Sequence, residues 1–202
     1  MNAPSLAEPL QPARLLALVQ QDTRTSSDTG ADALLAAWVL ELQQRGWQVG
    51  GLLQRIATWP HSGKRMQLLD VRGTQVFDIS QDLGPASKGC CIDPGGVAQA
   101  SGVLRQALVD GVDVVVTNRF GGLEAQGGGF VAEIAALAQA DIPLLTIVAP
   151  AHLPAWRALT GPLGQALQMP QSVQALHDWF FSLQRAGSVQ TSRATCAAGD
   201  PG

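Results

Sequence analysis

Three polar stretches interrupt an otherwise apolar chain, and each carries groups that could hold an anion or a cation. The first is Thr25-Ser26-Ser27-Asp28-Thr29-Gly30-Ala31-Asp32, the second Thr117-Asn118-Arg119-Phe120-Gly121-Gly122-Leu123-Glu124, and the third runs from Ser80 to Pro94 and contains Lys88, Cys90 and Cys91. Hydroxyls and backbone N–H groups in the first stretch suit an anion, Arg119 and Lys88 add positive charge, and Asp32, Asn118 and Glu124 supply oxygen atoms. The candidate ligand-binding set is therefore Ser26, Ser27, Asp28, Thr29, Gly30, Asp32, Lys88, Asn118, Arg119 and Glu124. No catalytic residue and no metal ligand is assigned, and the sequence names no cofactor. The adjacent cysteines lack the spaced His or Cys partners of a zinc site, and His61, His152 and His177 show no ligand spacing. One of the two cysteines packing inward as a small apolar residue explains the pair as well.

The elements that must position these stretches alternate in type. Leu15–Val19 is a short apolar run that fits a buried strand. Ala31–Arg45 has apolar residues at helical spacing, closed by Gly46. Val49–Gln54 predicts a second strand. Met66–Val71 and Gln75–Ile79, around Arg72-Gly73-Thr74, predict a β-hairpin. Further helices are expected over 97–109, 130–140, 153–159 and 173–184, and further strands over 112–116 and 143–148. Strands separated by helices imply a mainly parallel sheet with helices on both faces, interrupted once by a β-hairpin insertion. Ligands in such a sheet sit beyond the carboxyl ends of the strands, where the first two polar stretches fall.

A strand, a polar loop and a helix make the setting of a P-loop, whose working form reads G-x-x-x-x-G-K-[ST]. Here Gly30 keeps the second glycine, Thr25 replaces the first, Ala31 replaces the lysine, and Asp32 replaces the hydroxyl that anchors Mg²⁺. Asp28 and Asp32 would repel a triphosphate, although the helix start still offers N–H groups to a small anion. Simple helix capping by Ser26, Ser27, Asp28 or Thr29 accounts for the same residue types. At the second stretch a hydrolase would end its strand in Asp and Glu, and this chain has Asn118 and Arg119. Arg119 calls for an acidic partner, either an external anion or an internal carboxylate among Asp28, Asp32 and Glu124. Gly127-Gly128-Gly129 reads as a hinge or a close approach before a helix.

With 202 residues, 46% apolar and 14% charged, the chain suits one α/β domain over 14–186, with a loose leader over 1–13 and a disordered tail over 187–202 that holds Cys196. A net charge of −3 without clustered Lys and Arg argues against nucleic acid as partner. No apolar run reaches the roughly 18–20 residues of a membrane span, and no signal peptide is apparent. Three cysteines, two of them adjacent, do not make a disulfide framework, so a cytoplasmic location is expected.

Taken together, Ile79-Ser80-Gln81-Asp82-Leu83-Gly84, Gly89-Cys90, Asn118-Arg119-Phe120-Gly121 with Glu124, and Ala155-Trp156-Arg157 resemble the bacterial family DUF2478 over roughly residues 14–186. That family in turn resembles the THEP-type nucleoside-triphosphatase branch of P-loop proteins. By this resemblance Ala31 stands where the catalytic-loop lysine belongs, and Asn118 and Arg119 where Asp and Glu belong. Glu124 stands where the branch also has Glu. Family members are often encoded beside molybdate-uptake and molybdenum-enzyme genes, so the resemblance implies molybdenum or tungsten handling, with a protein partner in that pathway.

Three functions follow. The chain is a non-hydrolytic P-loop-like binding or regulatory protein that takes a small anion or a nucleotide and is linked to molybdate. Alternatively, it is a divergent nucleoside-triphosphatase in which Asp32 and Glu124 hold Mg²⁺ and Lys88 or Arg119 replaces the lysine. The third is a protein-interaction module on a degenerate P-loop fold, with Trp59 as a candidate anchor.

Overall fold

Leu15–Val19 (β1) is apolar at every position and buried at every position, as a strand covered on both faces must be. The computed structural model describes residues 13–20, 29–59, 63–73, 75–81, 92–168 and 172–197. Ser26, Ser27, Asp28, Lys88, Cys90, Cys91, His61 and the side chains of Thr29, Trp59, Asn118 and Cys196 lie outside the described residues. β1 is followed by α1 (Thr29–Gln44), β2 (Val49–Trp59), β3 (Gly63–Asp70) and β4 (Val76–Asp78). Then come α2 (Pro94–Asp110), β5 (Val114–Phe120), α3 (Gly122–Ala125), α4 (Val131–Gln139), β6 (Leu144–Val148), α5 (Leu153–Thr160), β7 (Gly164–Gln168) and α6 (Gln174–Ala197).

The seven strands form one sheet in the order β4-β3-β2-β5-β6-β1-β7. β2, β5, β6, β1 and β7 run parallel, and β3 and β4 extend the sheet antiparallel. The antiparallel part is larger than the sequence pattern suggests. β2 runs on to Trp59 and pairs with β3 from Leu52↔Asp70 to Trp59↔Gly63, so two successive hairpins replace the single expected one. β7 is an edge strand that the pattern did not mark, and α6 continues through Ala197, into the segment whose composition suggested a disordered tail.

Alternation along the buried strands divides the interior in two. Leu15, Ala17 and Val19 face a core shared with Val97, Ala100 and Leu104 of α2, Ile134 and Leu137 of α4, and Trp156 of α5. Leu16 and Leu18 face the other core, with Leu35, Trp38 and Leu42 of α1 and Leu176, Phe180 and Leu183 of α6. Trp38, Trp156 and Trp179 are all buried, so these three tryptophans fill core. The result is a helix–sheet–helix sandwich that aligns the carboxyl ends of β1, β5 and β6.

Candidate functional site

The site begins with a fault in β5. Val116 is level with Leu145 of β6, but Arg119 is level with Ile147, so Thr117 and Asn118 together oppose Thr146 alone. This is a β-bulge. Side chains alternate along a strand, so one extra residue exchanges the faces of everything beyond it. Val116 faces the α1/α6 core. Strict alternation would turn Phe120 to that same side and Arg119 to the other. The bulge reverses both: Phe120 packs in the α2/α4/α5 core, edge-on to Trp156 at 5.5 Å between ring centroids, and Arg119 meets α1. Asn118 and Arg119 thus lie inside the strand, which runs to Phe120, and not in the loop after it.

Arg119 is held internally. Its Nη1 donates to Gln20 Oε1 at 2.6 Å and its Nη2 to Asp32 Oδ2 at 3.1 Å. Both members of the ion pair are mostly covered, with side chains 24% and 17% exposed. Gln20 is positioned because its N–H continues the β1–β6 pairing onto the Val148 carbonyl at 3.0 Å. Asp32 lies in the first turn of α1, where a carboxylate complements the helix dipole. Ala31 beside it is 2% exposed and packs into the α1/α6 core. The space between the pair and β2, bounded by Leu52, Leu53, Gln54 and Thr117, is about 10 Å³, room for about one water. Of Asp32 and Glu124, the two expected partners among the described residues, the structure brings Asp32 to Arg119.

Glu124 is engaged elsewhere. Its Oε2 accepts from the Gly121 N–H at 2.9 Å and its Oε1 from the buried Phe130 N–H at 3.2 Å, so one carboxylate staples both ends of the loop between β5 and α4. The glycine run makes room for this staple. Gly129 has φ 57°, and a Cβ there would overlap the Glu124 carboxylate. The expectation of a hinge or close approach at Gly127–Gly129 therefore resolves as a close approach.

Beside this loop the sheet opens. Gly51 has φ 110°, and a Cβ on it would overlap the Val116 carbonyl oxygen, so only glycine lets β2 come this close to β5. Pairing between the two strands ends there, at Gly51↔Val116, and β2 turns away with β3. The gap it leaves is a cavity of about 470 Å³, edged by Arg119 and Glu124 and walled by β2, β3, the start of α2 and the stapled loop.

The structure thus joins Arg119 and Asp32 in one cluster and sets Glu124 in a separate one. Sequence reasoning missed Gln20, whose only signal is its place as the first residue past a buried strand. It also missed the cavity's carboxamides, Gln54 and Gln126. Among the described residues no cluster of three or more His, Cys, Asp or Glu could hold a metal ion, and no helix is long and apolar enough to cross a membrane.

The fold matches that of a solved human protein, described as a cancer-related nucleoside triphosphatase, with a TM-score of 0.55 over 88% of this chain and 97% of that one, at 15% identity. The architecture is P-loop NTPase-like: a mostly parallel, open sheet between helices. In sequence the chain is 34% identical over 143 residues to "Molybdenum import ATP-binding protein ModC 2" of Bradyrhizobium diazoefficiens. The match takes in 70% of this chain but 16% of that relative, so the chain spans a small part of the curated protein it resembles. The model of the family described as "Protein of unknown function (DUF2478)" matches residues 16–179, and the chain belongs to that family.

Proposed function

We propose that this chain is a non-hydrolytic, P-loop-like binding or regulatory protein, acting in the cytoplasm and linked to molybdate uptake or molybdenum metabolism. The observation that carries the first half is the Arg119–Asp32 ion pair. By the P-loop pattern Asp32 stands where a hydroxyl would anchor Mg²⁺, and by the family resemblance Arg119 stands where a Glu belongs. A fixed guanidinium now occupies the ground between them. A divalent cation placed there would face repulsion on the order of 4 kcal/mol per unit-charge pair at 4 Å near a protein surface. Two described oxygens there, Asp32 Oδ2 and Gln20 Oε1, already accept from Arg119. Among the described residues the groups at this position do not fit Mg²⁺. Ala31 brings no ammonium group to neutralise a γ-phosphate.

The second half rests on the partial match to a molybdenum-import ATP-binding protein. A small oxyanion suits the start of α1, with Ser26–Gly30 and Asn118 as hydrogen-bonding groups and Lys88 as counter-charge. It would compete with Asp32 for Arg119. Calorimetric titration of the full chain with molybdate, tungstate, sulfate and ATP with Mg²⁺ tests the reading. Heat from molybdate or tungstate is expected, and no heat from any of the four would remove the proposal.

A further inference from the structure

The cavity beside β5 differs in chemistry from the ion-pair site it adjoins. Its volume, about 470 Å³, falls within the range of small-molecule pockets, roughly 300–1,000 Å³. Its walls are apolar, from Met66, Ile79, Val97 and Phe130, and its polar lining includes the carboxamides of Gln54 and Gln126. Among the described residues two charged groups border it, and each is balanced from within the protein: Arg119 by Asp32, and Glu124 by the Gly121 and Phe130 amides. Among the described residues the cavity therefore offers an oxyanion no net positive charge, and a buried carboxylate would oppose one. Its walls are also fixed in advance, on one side by the close approach at Gly51 and on the other by the Glu124 staple.

We infer that this cavity binds a neutral, flat heteroaromatic molecule, its rings against Met66, Ile79, Val97 and Phe130 and its polar edge on the carboxamides of Gln54 and Gln126. A carboxamide presents a donor and an acceptor side by side, which matches the edge of a nitrogen heterocycle. The thioether of Met66 and the ring of Phe130 both favour an aromatic face. An alkyl chain would cover the same walls but leave half-buried Gln54 without a partner. This inference does not rest on molybdate binding, since it concerns a site of opposite character.

The test uses the full chain and saturation-transfer NMR with adenine, 6-methylpterin and lumichrome as ring probes, octanol as an alkyl probe, and molybdate as competitor. Gly122 borders the cavity, and a Cβ there meets nothing within 4 Å, so the site accepts a Cβ and Gly122→Phe adds a ring at the cavity rim. At least one ring probe should bind. Its affinity should fall by about 100-fold in Gly122→Phe, as expected when a pocket is blocked, and by about 5–10-fold in Gln126→Ala or Gln54→Leu when a hydrogen bond is lost. Unchanged circular dichroism in Gln126→Ala, whose side chain is exposed, guards against a folding defect. Binding of no ring probe, equal binding of octanol, displacement by molybdate, or full affinity in Gly122→Phe would each overturn the assignment.

Discussion

Two carboxylates flank the end of β5, and they are used in opposite ways. On the α1 side Asp32 answers a cation that stands 87 positions away in sequence. On the α2 side Glu124 answers backbone amides only 3 and 6 positions away. The first arrangement neutralises a charge that the tertiary fold delivers, and the second shapes a loop from within. A bulge of one residue separates them by turning Arg119 to one face and Phe120 to the other. Acid residues near a strand end therefore carry no fixed meaning. The register of the strand decides whether they meet a cation or the main chain.

Breaking the shared frame should have the largest effect. Gly51→Ala forces a Cβ into the Val116 carbonyl at a positive φ, and should cost roughly 3 kcal/mol in urea-unfolding free energy. Removing the staple comes next. Glu124→Ala leaves the Gly121 and Phe130 N–H groups without their acceptor, for about 2–3 kcal/mol by the same measurement. Hydrogen exchange at Phe130 should accelerate with it.

The ion pair should be worth less to stability and more to binding. Asp32→Ala removes a carboxylate that accepts from the partly covered Arg119, for about 1–2 kcal/mol. The same variant removes one negative charge beside the guanidinium, so its molybdate affinity by calorimetry should rise above that of the unaltered chain. A matching gain in Glu124→Ala would dissolve the contrast between the two acids.

The smallest effect lies away from both, where Arg72 Nη2 donates to Asp110 Oδ2 at 2.5 Å. That hydrogen bond, with one from Gln106, holds the Asp110 carboxyl below its ordinary value of 3.8. A carboxyl lowered in the folded state adds stability that is present above the unfolded-state value and is lost as pH falls through the folded one. Asp110→Asn should lower stability slightly at neutral pH, since the group is exposed, and that difference should vanish as pH falls well below 3.8.

The parts that were legible in the sequence are those governed by local period. The apolar run of β1, the helical spacing of α1 and the turn between β3 and β4 each announce themselves within a few residues. What was hidden depends on pairing between distant segments. Nothing in Val-Val-Val-Thr-Asn-Arg-Phe says that Thr117 and Asn118 share one opposing residue, yet that decides where Arg119 goes. Gly164-Gln-Ala-Leu-Gln has no β-branched residue and becomes a strand only because β1 offers it an edge. Arg119 was readable as a residue in need of an acid, but the choice of Asp32 over Glu124 was not. The glycine run was readable as a close approach, but the residue that approaches it was not.

Phosphate release from ATP in the presence of Mg²⁺ separates a guanidinium that takes the place of the metal from one that serves phosphoryl transfer. The purified chain should release phosphate no faster than a buffer blank, and Arg119→Ala should leave this unchanged. Steady turnover above the blank that Arg119→Ala abolishes would contradict this expectation, because the guanidinium would then be serving the reaction and not standing in the place of the metal.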